Sequence, residues 1–278
     1  MKLALAGLRF VVEPDGLLTA GERAALARLD ERTTASAGLP FRLEVEDRPP
    51  ADETLEPTGW PADVHAEGRL VRLAHRDFEA ALDIQRRLGV LQRDPAGTFP
   101  LEVTLRTAMC CALPLAEGVA LHAGGAVLPP GGVVFFGPSG AGKTTAAACC
   151  PHPVLSDELV AVRGDPFEVR ATGFWGELAP AGTTARLAPL AAVVELAKGP
   201  RLSITPLAPE EAFRHLLSCI VLPASDALWN HALATVARLV RAAPCLRLSW
   251  SPTRSPWEDL CAAIEAAREP ASDRRRSA

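Results

Sequence analysis

Apolar and polar side chains alternate from the first residues, and the pattern predicts a strand over about residues 1–12. A helix is predicted from Thr19 to Asp30, with Thr19 as N-cap and Glu22 three residues on, the spacing at which the two side chains cap each other's amides. Phe41 to Val45 alternates again and predicts a strand. Pro49, Pro50, Pro57 and Pro61 exclude long regular structure from 48–62. Gly68 to Leu73 predicts a further strand. Asp77 to Leu88, apolar at Phe78, Ala81, Leu82 and Ile84, predicts an amphipathic helix, and Leu101 to Leu115 another. The expectation is a small α+β unit over 1–100 that carries no motif of its own.

The texture changes at Gly118. Val119 to Leu128 predicts a strand, Pro129 to Gly132 a turn, and Val133 to Phe136 a second, fully buried strand, so that a hairpin leads into a glycine-rich stretch. Thr144 to Cys150 continues as a helix. Val154 to Val162 has the apolar flanks of a strand, interrupted by two adjacent acids. Helical patterns return at Pro209 to Ile220, Ala227 to Ala242 and Pro256 to Ala267. These elements define a second domain over 101–270, followed by a disordered tail at 271–278.

Composition narrows the class. With 278 residues, 48% of them hydrophobic and 22% charged, the chain has the material for a substantial core. A net charge of -4 weighs against nonspecific nucleic-acid binding, and the one basic run, Arg274 to Arg276, falls in the tail. No uninterrupted apolar stretch reaches the length of a membrane span, and the first residues do not read as a signal peptide, so the expectation is a cytoplasmic protein without membrane partners. Seven cysteines at 110, 111, 149, 150, 219, 245 and 261 form two vicinal pairs and no C-x-x-C, which predicts buried free thiols rather than a disulfide framework or a zinc site. A homo-oligomer is compatible with all of this.

The chemistry is concentrated at Gly137, Pro138, Ser139, Gly140, Ala141, Gly142, Lys143 and Thr144, which match G-x-x-x-x-G-K-[ST] without a mismatch, with Thr145 next in the helix. Glycines at 137, 140 and 142 admit backbone angles closed to other residues and let phosphate oxygens approach the main chain. Successive N–H groups then form a nest for anions, to which the start of the following helix adds its positive end. Lys143 brings a point charge to the β- and γ-phosphates, and the Thr144 hydroxyl ligates Mg²⁺. The implied ligand is ATP, or a related nucleotide, with magnesium.

Asp157 and Glu158 follow the loop closely enough to serve it. One acid can take the proton of an acceptor hydroxyl while the other helps Thr144 hold Mg²⁺, with the roles open to exchange. On a regular strand neighbouring side chains face opposite ways, so only a bend would bring both to the loop. Glu177, in the loop-like stretch Ala171 to Glu177, is a candidate metal or substrate ligand. His122 stands alone in the strand before the loop.

Taken in order, Leu121-His122-Ala123, the 137–144 loop and Leu155-Ser156-Asp157-Glu158 resemble the C-terminal domain of HPr kinase/phosphorylase, and more closely the smaller HPr-kinase-like proteins linked to peptide-modification clusters. A looser block is Gly173 to Glu177, followed by the apolar strand Leu190 to Leu196. The resemblance covers about residues 100–260. It implies a mostly antiparallel core similar to phosphoenolpyruvate carboxykinase and transfer of a phosphoryl group to serine of a peptide or protein. It also implies Asp157 as the residue that activates the hydroxyl and His122 as a group near the phosphates. Two features depart from it: the family has two aspartates where this chain has Asp157-Glu158, and the long glycine-containing segment of true HPr kinases is missing, so HPr is not the expected substrate. A small-molecule alcohol as acceptor, or a nucleotide-binding scaffold or switch without transfer activity, are the alternatives.

Overall fold

The computed structural model describes residues 1–30, 38–48, 62–95, 99–178 and 186–269. The chain divides into two compact units, Met1–Ala116 with Leu222–His231, and Glu117–Val221 with Ala232–Ala278. The first thus extends past residue 100 to take in the helix predicted at 101–115. The predicted tail at 271–278 and most of the proline-rich stretch at 48–62 lie outside the described residues.

In the first unit the initial strand is two, β1 (Lys2–Leu5) and β2 (Leu8–Glu13). Ala6 and Gly7 both take positive φ between them, the mirror-type turn whose twist suits a two-residue hairpin. α1 (Ala20–Leu29) begins with the predicted cap: Thr19 Oγ1 accepts the Glu22 N–H at 3.1 Å, and the Thr19 N–H donates to Glu22 Oε2 at 2.8 Å. β3 (Phe41–Asp47), β4 (Asp63–Glu67), β5 (Leu70–His75), β6 (Phe78–Asp83) and β7 (Leu88–Arg93) complete the sheet, and α2 (Phe99–Ala112) follows. The strand order is β1-β2-β3-β7-β6-β5-β4, with β2–β3 and β3–β7 parallel and the other neighbours antiparallel.

The helix expected at 77–88 is instead β6 and the turn that leads to β7. Phe78, Ala80, Leu82 and Ile84 are the buried positions, a period of two. Counting Ala81 as apolar made that period look helical, whereas Ala81 lies on the exposed side of the strand. Pairing on both edges, with β5 and β7, holds the segment extended.

The second unit contains β8 (Gly118–His122), β9 (Gly124–Leu128), β10 (Gly131–Phe136), α3 (Lys143–Cys149), β11 (Val154–Ser156), β12 (Leu159–Arg163), β13 (Glu168–Ala171), β14 (Leu187–Lys198), β15 (Ser203–Pro206), α4 (Pro209–Leu217), the greater part of α5 (Asp226–Ala242), β16 (Cys245–Trp250) and α6 (Trp257–Arg268). Its strands run β11-β9-β10-β14-β13-β12-β8, with β16 also beside β14 and β15 outside β16. Only β10–β14 and β14–β16 are parallel among the described pairings. β14 joins the parts of the sheet: Leu187 to Pro189 pair with β13, and the rest of the strand runs beside β10 and β16.

A core of Phe135, Val194, Leu196, Leu248, Trp257, Leu260 and Ile264 binds α6 and α3 to one face of the central strands. The strand predicted over 119–128 breaks at Ala123, and its halves go to different places, β8 beside β12 and β9 between β10 and β11. Gly125 permits the crossing, since a Cβ there would lie 2.8 Å from Val160 Cγ1. The chain is therefore mixed α/β with two mixed sheets. Among the described residues no helix is long and apolar enough to cross a membrane.

Candidate functional site

The site is built where parallel strands end together. β10 runs parallel to β14, so the loop after Phe136 and the last residues of β14 meet at one edge, the place where open α/β sheets commonly take ligands. Between β10 and α3 the backbone turns three times through positive φ: Gly137 at 149°, Gly140 at 75° and Gly142 at 103°. These are the glycines predicted to need such angles. They differ in what surrounds them. A Cβ on Gly137 would lie 3.0 Å from the Leu196 carbonyl oxygen and from Ala141 Cβ, whereas Gly140 and Gly142 face open space. Gly137 thus lets the loop pack on β14, and the other two leave room above it.

Lys143 is buried, and its ammonium group donates to the carbonyls of Gly137 (3.1 Å) and Pro138 (3.4 Å). The lysine therefore lies back along its own loop. Thr144 and Thr145 follow in the first turn of α3.

The two acids both face the loop because the strand bends. β11 ends at Ser156 and β12 starts at Leu159, leaving Asp157 and Glu158 in a turn. Ser156 makes the bend: its buried hydroxyl accepts the N–H groups of Glu158 and Leu159, each at 3.0 Å, and donates to the Phe174 carbonyl at 3.0 Å. Both carboxylates press against Gly176, where a Cβ would lie 3.0 Å from Asp157 Oδ2 and 3.1 Å from Glu158 Oε2.

Asp157 is anchored more firmly than the sequence suggested. Its carboxylate accepts three backbone N–H groups, from Gly176 (2.9 Å), Glu177 (3.0 Å) and Leu178 (3.3 Å). Thr172 adds a second tie, its hydroxyl donating to the Leu159 carbonyl at 2.7 Å. The segment carrying Glu177 is thereby fastened to the bend. His122 ends β8 opposite Leu159, and the next amide, Ala123 N–H, donates to the Glu158 carbonyl at 2.9 Å, which brings the exposed imidazole beside the acids.

One cavity of about 420 Å³ gathers these groups. Ser139, Gly140, Gly142, Lys143, Thr144 and Thr145 form its loop side, and His122, Asp157, Glu158, Gly176 and Glu177 the opposite side. Gly137, Pro138 and Ala141 support the loop without lining this cavity. Lys198, the last residue of β14, also lines it and was not anticipated. Ser156 is a residue type whose hydroxyl can bond the backbone two residues on, as it does here with Glu158.

The residues fit a phosphate chain. Open space above Gly140 and Gly142, with Lys143 and Lys198 on the same cavity, suits a polyanion. Among the described residues no three His, Cys, Asp or Glu side chains are grouped to hold a metal by themselves. Magnesium takes one or two carboxylates and completes its shell with phosphate oxygens and water. Thr144 with Glu158 or Asp157 are the groups in place for it. No protein-family model matches this chain, and no curated protein matches it.

Proposed function

We propose that this protein binds ATP with magnesium on the 137–145 loop and transfers a phosphoryl group to a hydroxyl, that of a serine in a peptide or protein. The observation that carries the proposal is a single one. A glycine loop with three positive-φ turns shares one cavity with a lysine, a threonine hydroxyl and two carboxylates on adjacent residues.

In this reading Lys143 leaves the loop carbonyls to meet the phosphates, and Lys198 adds a second positive charge. Thr144 and Glu158 hold the magnesium, which when bound draws negative charge from the terminal phosphate. Asp157 takes the proton of the acceptor hydroxyl as its oxygen bonds to phosphorus and the bond to the bridging oxygen breaks, leaving ADP. Asp157 Oδ2 already accepts two amides, so proton transfer uses Oδ1, which accepts one. His122 and Glu177 flank the acids and help to bind the acceptor. The hairpin of β9 and β10 entering the loop, and the prevalence of antiparallel pairs, support the likeness to the HPr-kinase and phosphoenolpyruvate-carboxykinase core.

A second reading is favoured by one specific observation. Three amides on Asp157 mark it as a structural anchor, which suits a nucleotide-binding switch without transfer activity. Calorimetry with Mg-ATP and a terminal-phosphate transfer assay on peptides and small alcohols separate the readings. Binding with transfer supports the kinase, and binding without transfer to any acceptor supports the switch. No heat with any nucleoside triphosphate, unchanged by Lys143→Ala, overturns both.

A further inference from the structure

A second cavity, of about 430 Å³, adjoins the first and shares Gly142, Thr145 and Lys198 with it. None of the acids lines it. Its remaining walls are mostly apolar: Trp250, Pro200 and Pro252, with Ser251 among them. Both volumes lie within the range of about 300–1,000 Å³ usual for small-molecule sites. The Trp250 wall is held in place beforehand. Its ring is buried against Trp257 at 6.3 Å, Trp257 meets Phe135 edge-on at 5.9 Å, and the Trp257 indole N–H donates to the Cys149 carbonyl at 3.0 Å.

The polarity of the pair is informative. His122, Asp157, Glu158 and Glu177 belong to the first cavity alone, and Thr145 lies on the boundary. A phosphate chain whose terminal end lies by the acids has its other end over Thr145. Whatever that end carries passes into the second cavity. The walls there offer little to read the edge of a base. Among the described residues no Asp, Asn, Glu, Gln or Arg side chain lines the second cavity, Pro200 and Pro252 have no N–H, and the Gly199 N–H already donates to the Trp250 carbonyl at 3.2 Å. Packing on apolar surface discriminates weakly between purines, whereas edge hydrogen bonds discriminate strongly.

We infer that the second cavity takes the nucleoside of a nucleoside triphosphate and holds its base by packing, so that adenine and guanine nucleotides are both accepted. The inference rests on the phosphate-loop reading above, and the test keeps the two apart. Calorimetry with magnesium compares inorganic tripolyphosphate, ATP and GTP on the full-length protein and on Ser251→Trp and Pro200→Trp, which fill the cavity from two sides while leaving the first cavity's lining intact.

The expected result is ATP and GTP each at least tenfold tighter than tripolyphosphate and within about threefold of each other. Each Trp variant that stays folded by circular dichroism loses that advantage and keeps its tripolyphosphate affinity. If tripolyphosphate binds in a Lys143-dependent way but ATP gains nothing over it, the phosphate reading stands and the nucleoside cavity is overturned. The cavity is equally overturned if both Trp variants bind ATP like the parent. A preference above tenfold for one purine overturns the packing mode. If no ligand binds, the phosphate reading falls and this inference with it.

Discussion

Asp157 Oδ1 accepts the Gly176 N–H at 2.9 Å, a contact that joins the bend after β11 to the segment bearing Glu177. With the two further amides on Oδ2, the carboxylate has a structural task as well as the proposed chemical one. Asp157→Asn keeps an oxygen for Gly176 but turns an NH₂ toward two N–H donors. It is expected to cost about 1–3 kcal/mol of stability as charge-assisted bonds from partly exposed amides are lost. Transfer activity is expected to fall by about a hundredfold or more, as for loss of a general base, while Mg-ATP still binds. Urea denaturation and calorimetry check the first and last of these. A variant as stable as the parent and as active would remove Asp157 from both roles.

The loop glycines are separable by the space around them. Gly142→Ala meets no neighbouring atom, so its cost is the left-handed backbone alone, about 1–2 kcal/mol. Gly137→Ala adds a collision with the Leu196 carbonyl to its backbone cost, and is expected to be the more damaging of the two. Thermal unfolding of the two variants in parallel tests the order. Equal midpoints would show that the close approach of the loop to β14 is not a constraint.

Lys198 ends β14 exposed to solvent and lines the cavity. Lys198→Met is expected to leave stability within about 0.5 kcal/mol, as for most surface changes. Phosphate affinity is expected to weaken several-fold, and the loss to shrink as salt is raised because the charge is exposed. Titration of tripolyphosphate at low and high ionic strength measures this. Unaltered affinity at low salt would place Lys198 outside the site.

The parts of the site that were legible in the sequence are those in which one residue type answers one local need. Positive φ calls for glycine at 137, 140 and 142, and the proposed polyanion calls for Lys143. The bend at Asp157-Glu158 was harder to see, because its cause is a hydroxyl, Ser156, whose neighbours in space include Phe174. Lys198 depends on which strands lie parallel, a long-range fact that no local pattern carries. The fold shows the same division. The Thr19–Glu22 cap is a short-range device and is present as predicted, whereas the extended state of β6 depends on pairing with both β5 and β7, and the apolar Ala81 on its exposed side gave the segment a helical period. Arg93 gave no hint at all of its burial.

That arginine carries the next prediction. Arg93 is fully buried on β7 and donates to Glu22 Oε1 at 2.8 Å and Oε2 at 2.9 Å, to the Leu17 carbonyl at 3.1 Å, and to Asp47. Glu22 is itself fully buried and also caps α1. Arg93→Met strands that carboxylate and is expected to destabilise by about 3–5 kcal/mol. Adding Glu22→Gln removes the stranded charge and is expected to recover part of the loss. Chemical denaturation of the single and double variants checks it, and a double variant no better than Arg93→Met alone would mean that packing, not charge, sets the cost.

Alkaline pH probes the core of α2. Burial pushes the Cys110 thiol up from 9.0 to about 12, with Arg106 opposing in part. Burial, and then the neighbouring Cys110, push Cys111 up as well. The folded state therefore keeps both thiols protonated where the unfolded chain ionises them. Their contribution to stability is fully present below about pH 9 and is lost as pH rises from there through the folded values, at up to about 1.4 kcal/mol per pH unit for each thiol. The chain has no tyrosine, so the other side chains titrating in the first part of that window are chiefly lysines and the remaining cysteines. Urea midpoints taken from about pH 7.5 to 10.5 are expected to fall, and to fall less steeply in Cys110→Ala and Cys111→Ala, whatever the offset each substitution introduces at neutral pH. If both variants follow the slope of the parent, the two thiols are not protected in the folded state.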